Sequence, residues 1–415
     1  MFKKKQNILK YVVNQKISFI FNLFILLVFS LFFIKSFNYS FFWYEAFKAA
    51  LVGEADPIFW DFEVYKCAAD LFTNNQNPYN LLTGCMPSEK PFTFNYPIIT
   101  AFFYIPFTLI NFFSSKIIWG LILLFSFAIY IIYQKKLFKS NINFFFYFII
   151  ILFCLDKTMI YSFFTGNMSF ISQILISISF YFLLERNKNI FFAIICIVSF
   201  FKFYFLIFLF CPILVYKFKY LKNIILSCFI VFLFYLFNYV YDPFLFTQWT
   251  SNVFQASIAK GTYDAFGIGS LNYIVSTLNL LENKEIFILK NREYYEIIFA
   301  FLYVVLIISF GYLFFERNFI RKNEKVTLAL SIIMVGICIP RLEVYELIIF
   351  IAPIIYLLEV NYNFRNEKKI LQILISFTFI SFFLLNGDSN ATYPFLIIFL
   401  LSNCLKCSQT FFEKA

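Results

Sequence analysis

Only 14% of the 415 residues are charged and 62% are hydrophobic, so each ionisable side chain inside an apolar context stands out. Two carboxylates open the polar stretch "DFEVYKCAADLFTNNQNPYN", residues 61–80: Asp61 and Glu63. On an extended backbone they share a face; on a helix they diverge by about 200°. Asp61 precedes Val64, Tyr65, Ala68, Ala69 and Phe72 at helical spacing, which reads as a helix N-cap. It reads equally as a carboxylate placed to take a proton from a hydroxyl, with Glu63 orienting it or binding the hydroxyl-bearing partner. Lys202 lies in the middle of the apolar run 190–216, where an ammonium either snorkels or meets an anion.

In "CIPRLEVYE", Pro340 ends a run, and Arg341, Glu343, Tyr345 and Glu346 crowd the turn that follows. Arg341 and Glu343 make either a structural ion pair or, in Arg341, a second cation for an anion. "FFTGNMSF" brings Gly166, Asn167 and Ser169 to the start of another run. There Asn167 caps a helix, or the helix end presents an anion seat. "NPYN" at 77–80 is a turn.

The chain has no His, which excludes Ser–His triads, imidazole ligands and imidazole acid–base chemistry. Most of the nine Cys lie in apolar runs. Cys67 and Cys85 share a loop, and sequence leaves their pairing open. Cys404 and Cys407 form a lone C-x-x-C without further ligands, read as inert.

Such residues need elements to hold them. Runs such as Ile17–Ile34, Ile117–Tyr133 and Ile224–Val240 are long enough, or nearly so, to cross a bilayer. The first is too long and lacks a small-residue cleavage site for a removable signal, and is read as a retained helix. The net charge of +11 is carried by short clusters between runs: Lys3–Lys5, Lys135 with Lys136, Lys217 with Lys219, Arg321 with Lys322, and Lys368 with Lys369. Basic loops of that kind mark a cytoplasmic side, so the charge encodes topology and no nucleic-acid partner is expected.

With the N-terminus inside, a helix at 17–35 carries 36–116 to the outer side. Pro97 and Pro106 interrupt 97–113, which is read as a re-entrant or interfacial helix, leaving 117–133 as the second span. Both flanks of 190–216 are basic, so that run folds as a hairpin of two short helices with Lys202 at the turn. Further spans fall at 143–155, 168–184, 224–240, 297–315, 326–340, 347–358, 370–385 and 393–404, about 12 crossings with both termini inside. The outer side then collects 36–116, 156–167, 241–296, 341–346 and 386–392. The expected fold is an all-α polytopic membrane protein, one domain over residues 1–415.

Taken in order, these fragments resemble glycosyltransferase family 87 of the GT-C superfamily. The family pattern D-[FY]-x-x-Y-x-x-A-x-x-L is matched by Asp61, Phe62, Tyr65, Ala68 and Leu71. Its Pro-Tyr turn is similar to Asn77-Pro78-Tyr79, and its F-x-Y-P element to Phe94-Asn95-Tyr96-Pro97. Gly166-Asn167, the hairpin Lys202, and Pro340-Arg341 through Tyr345-Glu346 resemble its later elements. The resemblance is spread over roughly 55–350 and departs from the family at Ile98, where a second Pro is usual, at Asn77, and after Lys202, where no Pro follows.

The resemblance implies a GT-C-type bundle with extracytoplasmic juxtamembrane helices in the cell membrane. It implies transfer of a hexose or pentose, mannose-like, from a polyprenyl-phosphate donor to a glycan or glycolipid acceptor on the extracytoplasmic face, with inversion. Asp61 would be the base, Glu63, Tyr65 and Tyr96 its support or the acceptor site, and Lys202, Arg341 and Asn167 the donor phosphate site. Tyr345 and Glu346 would line the same cavity. No cofactor is expected, with a divalent metal left open. The rival readings are a flippase or transporter of a lipid-linked or anionic substrate, and a membrane glycan polymerase or ligase. Broken helices in paired halves would mark the transporter, and ten Gly without half-to-half correspondence argue against it. The topology itself predicts that green fluorescent protein fused to the C-terminus fluoresces. Alkaline phosphatase there should be silent, yet active when inserted after Asn80; the reverse pattern overturns the threading.

Overall fold

The computed structural model describes residues 59–80, 85, 93–138, 165–185, 187–258, 267–268, 298, 301–309, 311–312, 323–339, 342–343, 346–361, 397, 399–401 and 403–404. The expected first helix at 17–35, the spans at 143–155 and 370–385, Arg341 and Tyr345 lie outside the described residues. The described chain is mostly helical, with one two-residue antiparallel pairing of β1 (Gly267–Ile268) and β2 (Leu342–Glu343). That pairing sets Gly267 beside Glu343 and Ile268 beside Leu342.

Helix α1 runs Trp60–Thr73 and buries Phe62, Val64, Tyr65, Cys67, Ala68 and Ala69. Its N-cap is Phe59, in the left-handed region at φ 66° and without a side-chain cap. Asp61 is therefore not the N-cap that the spacing predicted; it stands inside the first turn. The helix stops where the Thr73 hydroxyl and the Asn74 amide both donate to the Asp70 carbonyl. A disulfide joins Cys67, in its middle, to Cys85.

Segment 97–113 breaks into α2 (Ile98–Phe102) and α3 (Ile105–Thr108). The break follows from sequence, because Pro106 offers no N–H at the second start. Helix α4 then runs Phe112–Phe138, starting earlier than 117 because the Asn111 side chain accepts from the Ser114 amide at 2.8 Å. Trp119, Leu123, Phe127 and Tyr130 recur every third or fourth residue and form its buried stripe.

Helix α5 (Met168–Leu184) is buried on nearly every side and packs against α4, against α6 (Lys188–Phe201) and against α11 (Ile348–Asn361). After α6 the backbone of Lys202 is extended, and the chain returns through a 3₁₀ segment, Phe203–Leu209, and α7, Phe210–Tyr216. The return is complete, because the Lys188 ammonium at the start of α6 lies 4.0 Å from the Tyr216 ring and 4.3 Å from the Tyr220 ring. Lys202 stands at the reversal. Helix α8 (Leu221–Tyr241) then runs parallel to α6, with Phe234 stacked on Phe200 and the Tyr235 hydroxyl donating to the Ser199 carbonyl.

Asp242 caps α9 (Pro243–Ile258), which folds across the Lys202 end of the bundle. Trp249 donates to the Asn95 carbonyl and Asn252 to the Tyr79 carbonyl, so α9 braces the loop that carries Tyr96. Helix α10 (Glu324–Ile337), capped by Asn323, lies against α7 and α11.

Among the described residues two helical stretches are long and apolar enough to cross a membrane, Phe112–Phe138 and the combined Phe203–Tyr241, with hydropathies of 2.1 and 2.2.

One ion pair fixes α1 against α4. Glu63 is fully buried, and its Oε1 accepts from Lys116 Nζ at 2.5 Å. Lys116 also lies 4.9 Å from the Phe112 ring. Removing one partner leaves a buried charge, which costs more than the pair itself contributes. Lys116→Met is expected to lower unfolding free energy by about 3 kcal/mol. Glu63→Leu combined with Lys116→Met should recover most of that loss in thermal unfolding; an additive double variant would show the pair to be idle.

Candidate functional site

The site begins with a glycine. Gly166 has φ +67°, and an added Cβ would meet Phe59 at 3.0 Å, so both the conformation and the close approach disfavour a side chain. The Trp119 indole N–H donates to the Gly166 carbonyl at 2.9 Å and holds the turn in place. The turn delivers Asn167 to the N-cap of α5.

At Asn167 the two ends of the amide are committed to different partners. Its Oδ1 accepts from the Ser169 backbone N–H at 2.7 Å and from the Tyr96 hydroxyl at 3.1 Å. Its Nδ2 donates to Asp61 Oδ2 at 2.9 Å. The donors converging on the oxygen fix which way the amide points, and so fix the carboxylate. The Tyr65 hydroxyl donates to the Tyr96 hydroxyl at 3.1 Å and accepts from the Met168 N–H at 3.3 Å. Burial pushes the Tyr65 phenol well above its ordinary range, and the nearby Tyr96 and Asp61 push the same way, so it stays a donor.

Tyr96 divides the site. Its hydroxyl belongs to the Asp61 side, and its ring faces the Lys202 ammonium at 5.7 Å. Its carbonyl accepts from the Tyr79 hydroxyl at 3.0 Å. Beyond the ring, Lys202 Nζ meets Glu346 Oε1 at 3.0 Å, and the Tyr204 hydroxyl donates to that same oxygen at 2.9 Å. The Glu346 side chain is fully buried, whereas that of Lys202 is 17% exposed. Asp61, Lys202 and Tyr204 are each half-buried, whereas Tyr65, Tyr96, Asn167 and Glu346 are buried.

The structure thus brings Asp61, Tyr65, Tyr96, Asn167, Lys202 and Glu346 together. It does not bring Glu63, which the helical spacing of α1 turns toward Lys116 instead. Arg341 and Tyr345 are outside the described residues. The start of α5, the phosphate seat expected of Asn167, has partners from within the chain. Its first amides are committed, Met168 to Tyr65, Ser169 to the Asn167 side chain and Phe170 to the Asn167 carbonyl. The anion that Asn167 holds is the Asp61 carboxylate. Tyr204 was not foreseen; the one signal in the sequence was a phenol two residues past the lone lysine. Among the described residues no three Cys, Asp or Glu side chains converge as a metal seat requires.

No family model, no curated protein and no solved structure matches this chain.

The committed amide generates a test. Asn167→Asp keeps the cap acceptor for Ser169 but sets a second carboxylate against Asp61. Two carboxylates in contact cannot both ionise freely, so their shared proton is lost only at raised pH. Relative to wild type, the variant should melt lower at about pH 7.5, and the gap should narrow toward about pH 5 as one carboxyl protonates. A gap independent of pH would separate the two residues.

Proposed function

We propose that the chain is a multi-pass membrane glycosyltransferase of the GT-C type, taking a hexose or pentose, mannose-like, from a polyprenyl-phosphate donor. The observation that carries this reading is the pairing of a fixed carboxylate, Asp61, with a cation, Lys202, on opposite sides of one tyrosine, both half-buried. Membrane residence is supported by the apolar surfaces of α4 and α8, where Leu121, Phe125, Ile225, Phe229 and Phe232 are exposed. Exposing side chains of that kind to water is unfavourable, and hydrocarbon removes that cost.

The chemistry divides between the two sides. The acceptor hydroxyl oxygen attacks the anomeric carbon of the donor sugar. Its proton passes to an Asp61 oxygen, and the bond between the anomeric carbon and the phosphate oxygen breaks, leaving that electron pair on the phosphate. Attack opposite the leaving group inverts the centre. A lipid phosphate is already a competent leaving group and needs charge stabilisation more than a proton, which Lys202 supplies in surroundings poor in water. The acceptor hydroxyl needs a base, and Asp61 is held in one orientation by Asn167. Tyr65 and Tyr96 keep that orientation rigid.

The acceptor is a glycan or glycolipid, and the acting face is the extracytoplasmic one. Asp61→Asn keeps an acceptor for the Asn167 amide and removes the base. It should lower transfer from a polyprenyl-phosphate sugar by about 10²–10⁴-fold, read as release of the lipid phosphate. Full activity in that variant removes Asp61 from the role. No release from any such donor by wild type overturns the transferase and favours the transporter.

A further inference from the structure

Lys202 and Tyr204 sit two positions apart across the reversal, and both direct their donors at a single anionic oxygen, Glu346 Oε1. One donor is charged and the other is neutral and directional, which is what an oxygen of a phosphate ester requires. The carboxylate holding that place is fully buried, whereas the Lys202 side chain beside it is 17% exposed. A buried ammonium without a counter-ion is strongly unfavourable, so Glu346 keeps Lys202 charged and ordered while no substrate is present.

A tethered carboxylate is also a competitor. It has no association entropy to lose, so a free anion must offer more than one carboxylate's worth of charge and hydrogen bonding to take its place. Acetate offers the same group without the tether. Sulfate brings tetrahedral oxygens but no donor of its own, and a phosphate ester brings the same oxygens on a substrate anchored by its remaining contacts.

We infer that Glu346 is the specificity-determining residue of the anion seat formed by Lys202 and Tyr204. Its carboxylate competes for the seat, yielding to a phosphate ester while excluding simpler anions. This rests on the reading of Lys202 as the donor-phosphate cation, and it extends that reading to how the seat chooses its anion.

The test is anion binding to the purified full chain in nanodiscs, followed by titration calorimetry, with farnesyl phosphate, inorganic phosphate, sulfate and acetate as probes. Wild type is expected to bind farnesyl phosphate and to ignore sulfate and acetate. Glu346→Gln retains an oxygen for Lys202 and Tyr204 but no charge. It should bind farnesyl phosphate about tenfold tighter and acquire sulfate binding. Tightening shared by inorganic phosphate assigns the seat to phosphate oxygens alone; tightening confined to farnesyl phosphate assigns it to a lipid phosphate.

A folded Glu346→Gln protein with unchanged or weaker phosphate binding, and no gain of sulfate, overturns the inference. Where that variant does not fold, Glu346→Asp keeps the counter-ion and draws it back by one methylene. Farnesyl phosphate should then bind tighter than in wild type, and equal or weaker binding overturns the inference in the same way. These arms need no sugar transfer. A wild type that binds farnesyl phosphate but transfers nothing would remove the transferase reading and leave the filter standing. An active Glu346→Gln enzyme with wild-type anion selectivity would remove the filter alone.

Discussion

An asparagine amide has two ends with opposite hydrogen-bonding character, and at Asn167 neither can be exchanged for the other. The oxygen is taken by the first turn of α5 and by Tyr96, so the nitrogen has one direction left, and Asp61 lies there. Everything near the site leans on this arrangement. Gly166 suits the turn because a Cβ at φ +67° would be strained and would press on Phe59 at 3.0 Å, and Trp119 of α4 holds the same turn from the other side. The cap of one helix thereby becomes the clamp on a carboxylate of another. Removing an N-cap acceptor ordinarily costs about 1 kcal/mol, and here it would also release Asp61 and Tyr96.

The other charges follow one rule. In an apolar interior a charge must meet an opposite charge or take several hydrogen bonds. Glu63 meets Lys116, and Glu346 meets Lys202 and Tyr204. In both cases the partner comes from a separate part of the fold, so each pair also acts as a tertiary staple. Glu63 and Lys116 dock α1 on α4. Lys202 and Glu346 join the α6 reversal to the turn that leads into α11. Lys66 with Asp70, one turn apart within α1 at 3.1 Å, is the local exception.

Much of the layout was legible along the chain. The paired basic flanks of 190–216 required a reversal near Lys202, and the backbone turns there. Two prolines made 97–113 too broken for one straight helix, and it forms two short ones. Asp61 shows the limit. Its spacing to Val64, Tyr65 and Ala68 announced α1 but not the first turn, because Phe59 adopts a left-handed conformation two residues earlier and starts the helix there. Glu63 looked like the companion of Asp61 because they are neighbours in sequence, and helical geometry is what separates them. Asn167 was rightly a cap, but the anion beside it came from within the chain.

Sequence by itself determined most of the described helices, their interruptions and most of the polar residues that the structure gathers, because apolar periodicity, proline and glycine act on the backbone within a few residues of themselves. Only the tertiary structure decided which polar groups are partners. Asp61 and Asn167 are 106 residues apart and Lys202 and Glu346 are 144 apart. A carboxylate carries no local mark of the donor that will desolvate with it. That choice is made when α1, α5, the Tyr96 loop and the turn before α11 pack at one end of the bundle, where each polar atom must find a partner among those that packing brings within reach.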